Sequence, residues 1–447
     1  STLPYLLELL AVKDSGIDKI TMSPEERKNR ILEALKRINI KGSEIRPLIG
    51  AFEDLHWIDK SSEDQLKHLL ESIAGARILL IFTYRPDFVH TWGARSYHSQ
   101  ITLSRLSNRE SLMMVSHLLD TEDLDRDLEE FILEKTEGIP FFIEELIKSL
   151  RDLKIIERKN NRSRITKDIK EVTIPATVQD MIMARVDSLF EEIKSLLQTA
   201  SAVGRESSYD LIKQVTGLAE QELLSRLSVL KDSELLYERG IYPQSSYVFK
   251  HALTQEVAYN SLLQKRKKEI HAAIGSAMEA LYPDRLEEHY EMLAYHYGRS
   301  ANADKAVDYL ELANQKAIRL NAMEEAKAYF EEAIAHLDTL PESKKNRQRQ
   351  ISLLLNQGEV FLLLVKFSEY YELLTRYEPM ASGLGNPELL GAFYARLGHC
   401  EWAFGYFDLA IKTLTKAAEL CEAAGNAEDA GYAYVWLEWS HLFRGDF

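Results

Sequence analysis

The chain has 447 residues, 45% of them hydrophobic and 28% charged, with a formal net charge of −15. This is a globular composition with room for two to four domains, and its acidity argues against nonspecific duplex binding, which needs surplus Lys and Arg. Two cysteines, Cys400 and Cys421, exclude a disulfide framework. No apolar run reaches the about 18–20 residues that cross a bilayer, so a reducing, cytoplasmic setting is expected.

In chain order, Ser23-Pro24-Glu25-Glu26 is a helix start, with a hydroxyl cap, Pro at the first helical position and acids on the dipole. The helix should run to about Ile38. Arg46-Pro47 leads into the apolar run Leu48–Phe52, suited to a buried parallel strand. Ser61-Ser62-Glu63-Asp64 reads as the cap of a helix through Ile73, and Arg77 to Thr83 supplies a second buried strand. Strand–helix–strand with short connections implies a parallel α/β sheet.

Asn108 to Leu150 is patterned as helix, interrupted at Gly138-Ile139-Pro140, and 153–165 reads as a hairpin turning at Asn160-Asn161. Pro175 opens a helix over Thr177 to Leu189. Helices near 191–200, 207–215 and 219–232 precede two strand-like runs, Leu235–Glu238 and Tyr247–Phe249. Helices followed by a β-hairpin give the winged-helix pattern.

Beyond residue 262 the chain is helical and it repeats. Phe367, Phe407 and Phe447 fall 40 residues apart, Gly405 returns as Gly445, and Gly385-Asn386 returns as Gly425-Asn426. In the same frame Gly391, Tyr394 and Leu397 match Gly431, Tyr434 and Leu437. That period over paired helices predicts a tetratricopeptide-like solenoid, with a protein or peptide partner on its concave face. The start at Ser1 and the stop inside a repeat suggest that both ends are cuts through something larger.

The sharpest local feature is Phe52-Glu53-Asp54-Leu55-His56-Trp57-Ile58-Asp59 after the first strand. Adjacent acids at the carboxyl end of a parallel strand sit where α/β sheets bind ligands. One can hold the hydration shell of Mg²⁺ and the other polarise a water, or the pair can be solvated acids capping the next helix. Thr83 and Arg85 follow the second strand, where an Arg can sense a γ-phosphate or pair with a nearby acid. Glu401, Trp402, Trp436 and Trp439 lie on repeat helices and read as core packing. No His-Glu-x-x-His or Gly-x-Ser-x-Gly occurs.

Five stretches then occur in a fixed order: Glu53–Asp59, Thr83-Tyr84-Arg85-Pro86, Glu137–Glu145, Ile174-Pro175-Ala176-Thr177 and Phe249–Leu253. Together they resemble the STAND-type AAA ATPase region found downstream of class III adenylate/guanylate cyclase domains or in bacterial LuxR-like and kinase-linked regulators. The resemblance implies a partial P-loop NTPase core over 1–106, a helical lid over 107–175, a winged helix over 176–262 and a solenoid over 263–447. The fold class is therefore α/β followed by mostly α. It also implies ATP/ADP and Mg²⁺ as cofactors. Glu53 and Asp54 would be the Walker B acids, and Thr83 and Arg85 the sensor pair. Pro140 would sit in the lid against adenine, where a Gly-x-Pro break lets backbone approach the base, and His251 would hold the ADP β-phosphate. His251 beside Phe249 and Leu253 also reads as a packing residue.

Two departures qualify this. The sequence holds no Gly-Lys dipeptide, hence no P-loop, and Gly50 replaces the branched residue expected in the first strand. The chain alone is expected to hydrolyse ATP negligibly. The function implied is a nucleotide-operated regulatory switch coupled to a partner-binding array, and the alternative is a non-hydrolysing interaction scaffold. Nucleic acid and membrane partners are not expected.

Overall fold

The computed structural model describes every residue except 1, 11, 13–15, 18–19, 21, 94, 122–123, 153–154, 160–161, 166–176 and 446–447. The Asn160-Asn161 turn, Ile174-Pro175-Ala176 and Phe447 lie outside the described residues. Two compact units emerge, one of Ser1–Tyr97 with Tyr282–Phe447, the other of His98–Leu281.

In the first unit α1 (Leu3–Leu9) precedes α2 (Pro24–Ile45). Helix α2 begins in a reciprocal capping box: the Glu26 amide donates to Ser23 Oγ at 3.2 Å, and the Ser23 amide donates to the Glu26 carboxylate at 3.0 Å. It outlasts the expected end at Ile38. What stops it is Pro47, which forces Arg46 into extended backbone (φ −150°, ψ 148°). Strands β1 (Leu48–Phe52) and β2 (Ile78–Phe82) pair in parallel, Phe52 against Phe82, with α3 (Lys60–Leu70) between them in sequence. The cap of α3 is Asp59, whose Oδ1 accepts from the Ser62 amide at 2.8 Å, so the start at Ser61 expected from sequence is two residues too late.

The two strands are buried on one face only. Ile78, Leu80 and Phe82 pack on Leu55, Leu66 and Leu70, while Ile49 and Leu79 on the opposite face are 72% and 56% exposed. Gly50 has a packing reason. A Cβ there would stand 3.0 Å from Leu80 Cδ2, so the bare backbone lets Leu80 lie across β1.

The second unit contains α4 (Asn108–Leu119), α5 (Arg126–Thr136), α6 (Pro140–Asp152), the antiparallel pair β3 (Ile156–Lys159) and β4 (Arg162–Ile165), and α7 (Val178–Asp187). Ser107 and Glu110 form a second capping box at α4. The break between α4 and α5, absent from the sequence reading, begins at Asp120, in left-handed backbone (φ 49°). There follow α8 (Glu191–Val203), β5 (Glu206–Ser208), α9 (Tyr209–Thr216), α10 (Glu220–Asp232), β6 (Leu236–Arg239), β7 (Ser246–Phe249), α11 (Ala252–Asn260) and α12 (Gln264–Leu281). β5, β7 and β6 make a three-stranded antiparallel sheet beside these helices. Leu197, Ile212, Leu227 and Phe249 share its core. Helix α12, which the sequence reading places at the start of the solenoid, packs on α8 and α9.

Back in the first unit, α13 (Tyr290–Gly298), α14 (Ala303–Arg319), α15 (Met323–Leu337), α16 (Lys344–Leu355), α17 (Gly358–Leu363), α18 (Phe367–Gly383), α19 (Pro387–Ala403), α20 (Phe407–Ala424) and α21 (Ala427–Arg444) form a helical array. The 40-residue frame is structural. Asn386 and Asn426 cap α19 and α21 through side-chain bonds of 3.2 and 3.1 Å, each preceded by a glycine in left-handed backbone. Gly391 and Gly398 let α20 approach α19, since a Cβ would meet Cys421 Sγ at 2.6 Å and Leu414 Cγ at 2.5 Å. Among the described residues no helix is long and apolar enough to cross a membrane.

Candidate functional site

The expected site residues fall into two clusters, one in each unit. In the first unit the carboxyl ends of β1 and β2 are stitched by Thr83. Its amide donates to the Phe52 carbonyl at 3.0 Å, its carbonyl accepts from the Leu55 amide at 2.9 Å, and its hydroxyl accepts from the Asp54 amide at 3.0 Å. Asp54 is left-handed (φ 58°, ψ 42°), a conformation that Asp tolerates better than most residues. The chain turns there into a short 3-10 segment, Leu55–Trp57, in which Leu55 is buried and Trp57 is 76% exposed.

Glu53 and Asp54 thus stand exposed at the end of β1, held by backbone. Neither caps α3, because Asp59 does. Thr83 is placed against the acid loop, and because its oxygen accepts from Asp54, its hydroxyl proton remains to be donated. Arg85 is exposed two residues on, with no ion pair to it among the described residues. Behind the loop, Glu63 of α3 accepts from Thr91 Oγ1 at 2.7 Å and Lys60 Nζ at 3.1 Å. Burial works to raise its pKa, but these donors outweigh burial and hold the carboxyl below its usual range. Among the described residues no group of three or more His, Cys, Asp or Glu could enclose a metal ion.

In the second unit Pro140 is the first residue of α6 and is exposed. Glu137 and Gly138 before it are both left-handed (φ 48° and 72°). The backbone at Gly138 approaches Leu106: the Leu106 amide donates to the Gly138 carbonyl at 2.8 Å, and a Cβ on residue 138 would lie 2.2 Å from the Leu106 carbonyl oxygen. That close approach accounts for the glycine in the Gly-x-Pro break.

His251 precedes α11 and lies on Phe141, the residue after Pro140, with ring centroids 4.1 Å apart. Its Nε2 is 3.8 Å from the Glu144 carboxylate and has no hydrogen-bond partner among the described residues. Burial pushes the imidazole below its ordinary value, against the pull of Glu144, so it is neutral at pH 7.

Around this corner runs an ion-pair network that the sequence reading missed. Lys250 bridges Glu144 and Glu234 at 2.7 and 2.8 Å, Lys148 reaches Glu144 at 2.9 Å and Glu234 at 2.7 Å, and Arg185 pairs with the buried Glu145. Hydrogen bonds from Lys148 and then Lys250 hold Glu234 down to about 2. The signal was partial: Glu144, Glu145 and Lys148 show helical pairing distance, whereas Lys250 and Arg185 meet them only through the fold.

A profile of a family described as a domain of unknown function (DUF8739) matches residues 107–164, the stretch from α4 through β4. An uncharacterized protein of Rhizobium meliloti (strain 1021) is 23% identical over 350 residues, 77% of this chain and 33% of that protein. The chain therefore spans about a third of that relative's length. The crystal structure of a Signal Transduction ATPase with Numerous Domains (STAND) protein with a tetratricopeptide repeat sensor, from Pyrococcus horikoshii, is similar at a TM-score of 0.38. Its identity is 12%, over 98% of this chain and 72% of that one.

Proposed function

We propose that this chain is the regulatory portion of a STAND-type signalling ATPase, with a nucleotide-responsive α/β segment, a lid, a winged helix and a tetratricopeptide-like array that takes a protein partner. The output would be a further domain, such as a nucleotide cyclase. The observation that carries this reading is the Thr83 bridge, which fixes Glu53 and Asp54 at the carboxyl ends of two parallel strands. Two exposed carboxylates and a hydroxyl are a donor set that suits hydrated Mg²⁺, an ion that keeps several waters and takes one or two carboxylates. When bound, Mg²⁺-nucleotide would supply the charge that Glu53 and Asp54 answer. In the first unit Thr83 would orient Asp54 and Arg85 would answer phosphate charge; in the second, Pro140 and His251 keep the roles toward base and β-phosphate that the resemblance implies. A nucleotide that prefers one arrangement of these parts would shift the population toward it.

A second reading, a scaffold that neither binds nor hydrolyses nucleotide, is favoured by the absence of any Gly-Lys dipeptide from the sequence. Melting curves of the protein from its full reading frame separate the two. ADP or ATP with Mg²⁺ at a hundredfold excess over Kd should stabilise it by about 2.7 kcal/mol. No shift leaves the scaffold reading. Turnover that survives both Glu53→Gln and Asp54→Asn removes the site assignment.

A further inference from the structure

Helices α19 and α21 hold the same place in the 40-residue frame, and they match on one side and differ on the other. Toward the preceding helix the contacts repeat. Tyr394 Oη lies 3.2 Å from Ser382 Oγ of α18, and in the next repeat Tyr434 Oη donates to Glu422 of α20 at 2.8 Å. On its other side α19 is covered by α20. Gly391, Tyr394, Ala395 and Gly398 are buried, and Lys416 Nζ of α20 stands 3.8 Å from the Tyr394 ring centroid.

The matching face of α21 is bare. Tyr434, Val435 and Leu442 are 46%, 50% and 48% exposed, and Gly431 and Glu438 are exposed with them. They fall at helical spacing on a single face. The glycines measure the difference. A Cβ at Gly391 would meet Cys421 Sγ at 2.6 Å, whereas one at Gly431 would meet nothing within 4 Å. Glycine inside a helix is destabilising relative to alanine, and nothing among the described residues gives Gly431 a packing reason.

We infer that this face of α21 docks a further repeat helix, supplied by the same polypeptide beyond Gly445. Helices α14 and α19 are each covered by the helix that follows in the chain, α15 and α20. The chain leaves α21 as it leaves α19. Gly405 and Gly445 are both left-handed (φ 77° and 90°), and their amides donate to the matching carbonyls of Trp402 and Leu442. Glu438, central on the face, disfavours a second copy as the occupant, because a twofold contact there would set the carboxylate against itself. Glu438 also fixes the chemistry of the docking helix. It stands where α19 has Gly398, whose missing Cβ makes room for Leu414 of α20. The docking helix therefore carries a lysine or arginine in the place of Leu414, since a covered carboxylate needs a partner.

The test uses the protein from its full reading frame, with p-benzoylphenylalanine placed at Trp439, an exposed aromatic position beside Glu438. After photolysis, in cell extract and on purified protein, cross-linked peptides are read by mass spectrometry. The expected product is a cross-link within one chain to a segment beyond residue 445, with a yield unchanged on dilution. Cross-links to residues 1–447 of another molecule mark a second copy, and cross-links to a different protein mark a partner. Absence of any cross-link marks a free face, and each of these three results overturns the proposal. Gly431→Ala in the same full-length protein gives an independent readout. Docking predicts a lowered urea midpoint, because the methyl enters the contact as it would at Gly391. A raised midpoint, which helix propensity alone gives, overturns the docking.

Discussion

Val365→Gly should stabilise the helical array. Val365 ends α17 with φ 56°, and the frame aligns it with Gly405 (φ 77°) and Gly445 (φ 90°). The local bonding is the same at the first two turns. The Val365 amide donates to Leu362 and the Lys366 amide to Phe361, as the Gly405 amide donates to Trp402 and the Tyr406 amide to Glu401. These are glycine-type helix ends, and left-handed backbone costs an ordinary L-residue about 1–2 kcal/mol. Glycine recovers that strain but loses about 0.5–1 kcal/mol of unfolded-chain entropy. Val365 is 82% exposed, so the mutation forfeits little packing. The net expectation is a gain of about 0.5–1 kcal/mol, read as an increased urea midpoint for the array. Gly405→Val should show the opposite sign. A Val365→Gly protein no more stable than wild type would refute the strain argument and, with it, the structural equivalence of the three turns.

Three further outcomes follow from particular contacts. Gly138→Ala should destabilise the second unit by at least about 2 kcal/mol in urea titration, because positive φ and a backbone carbonyl 2.2 Å from the new Cβ act together. Arg185→Ala should cost about 1–3 kcal/mol, since it removes the charge-assisted bond to Glu145, whose side chain is 2% exposed, and leaves Lys148 at 3.6 Å as its remaining cation. A result near zero would mean that Glu145 takes up a proton or finds another cation.

The last concerns pH. Burial, then Thr413 acting against it, leaves Glu401 raised to about 7, so its contribution is fully present below about 4.5 and is lost as pH rises toward 7. Burial and Arg396 hold His399 down to about 4, so its contribution is lost as pH falls from 6.5. The two trends oppose each other and partly cancel between pH 4.5 and 6.5. Glu401→Gln should therefore match wild type near pH 4.5 and exceed it by about 3 kcal/mol at pH 8, at about 1.36 kcal/mol per pH unit. Parallel stability curves for the two proteins would contradict this.

What was legible in the sequence is what is decided locally. Capping at Ser23, the two apolar strand runs and the repeating Gly-Asn turns each announce themselves within a few residues, and the structure has them. The one-sided burial of β1 and β2 was not legible, because an apolar run does not say how many of its faces are covered. Nor was the α4–α5 break, where Asp120 takes a left-handed turn without a glycine. At the candidate sites, the acids, Thr83 and His251 were visible as motifs. The Thr83 hydroxyl on Asp54 and Lys250 on Glu144 join residues 29 and 106 positions apart, and only the fold makes those pairs. Trp436 does pack inward, stacked on His399 at 3.6 Å, whereas Trp439 is 43% exposed. The frame already aligned Gly431 with Gly391, but that the one is bare and the other covered became visible only in three dimensions.

The central proposal, a nucleotide-governed switch built on Glu53, Asp54 and Thr83, is tested most directly by equilibrium titration of ADP and ATP into the full-length protein with and without Mg²⁺. The account predicts saturable, one-site binding that depends on Mg²⁺ and is weakened by Asp54→Asn and by Thr83→Val. Absence of binding, or binding indifferent to Mg²⁺ and to both substitutions, would contradict it.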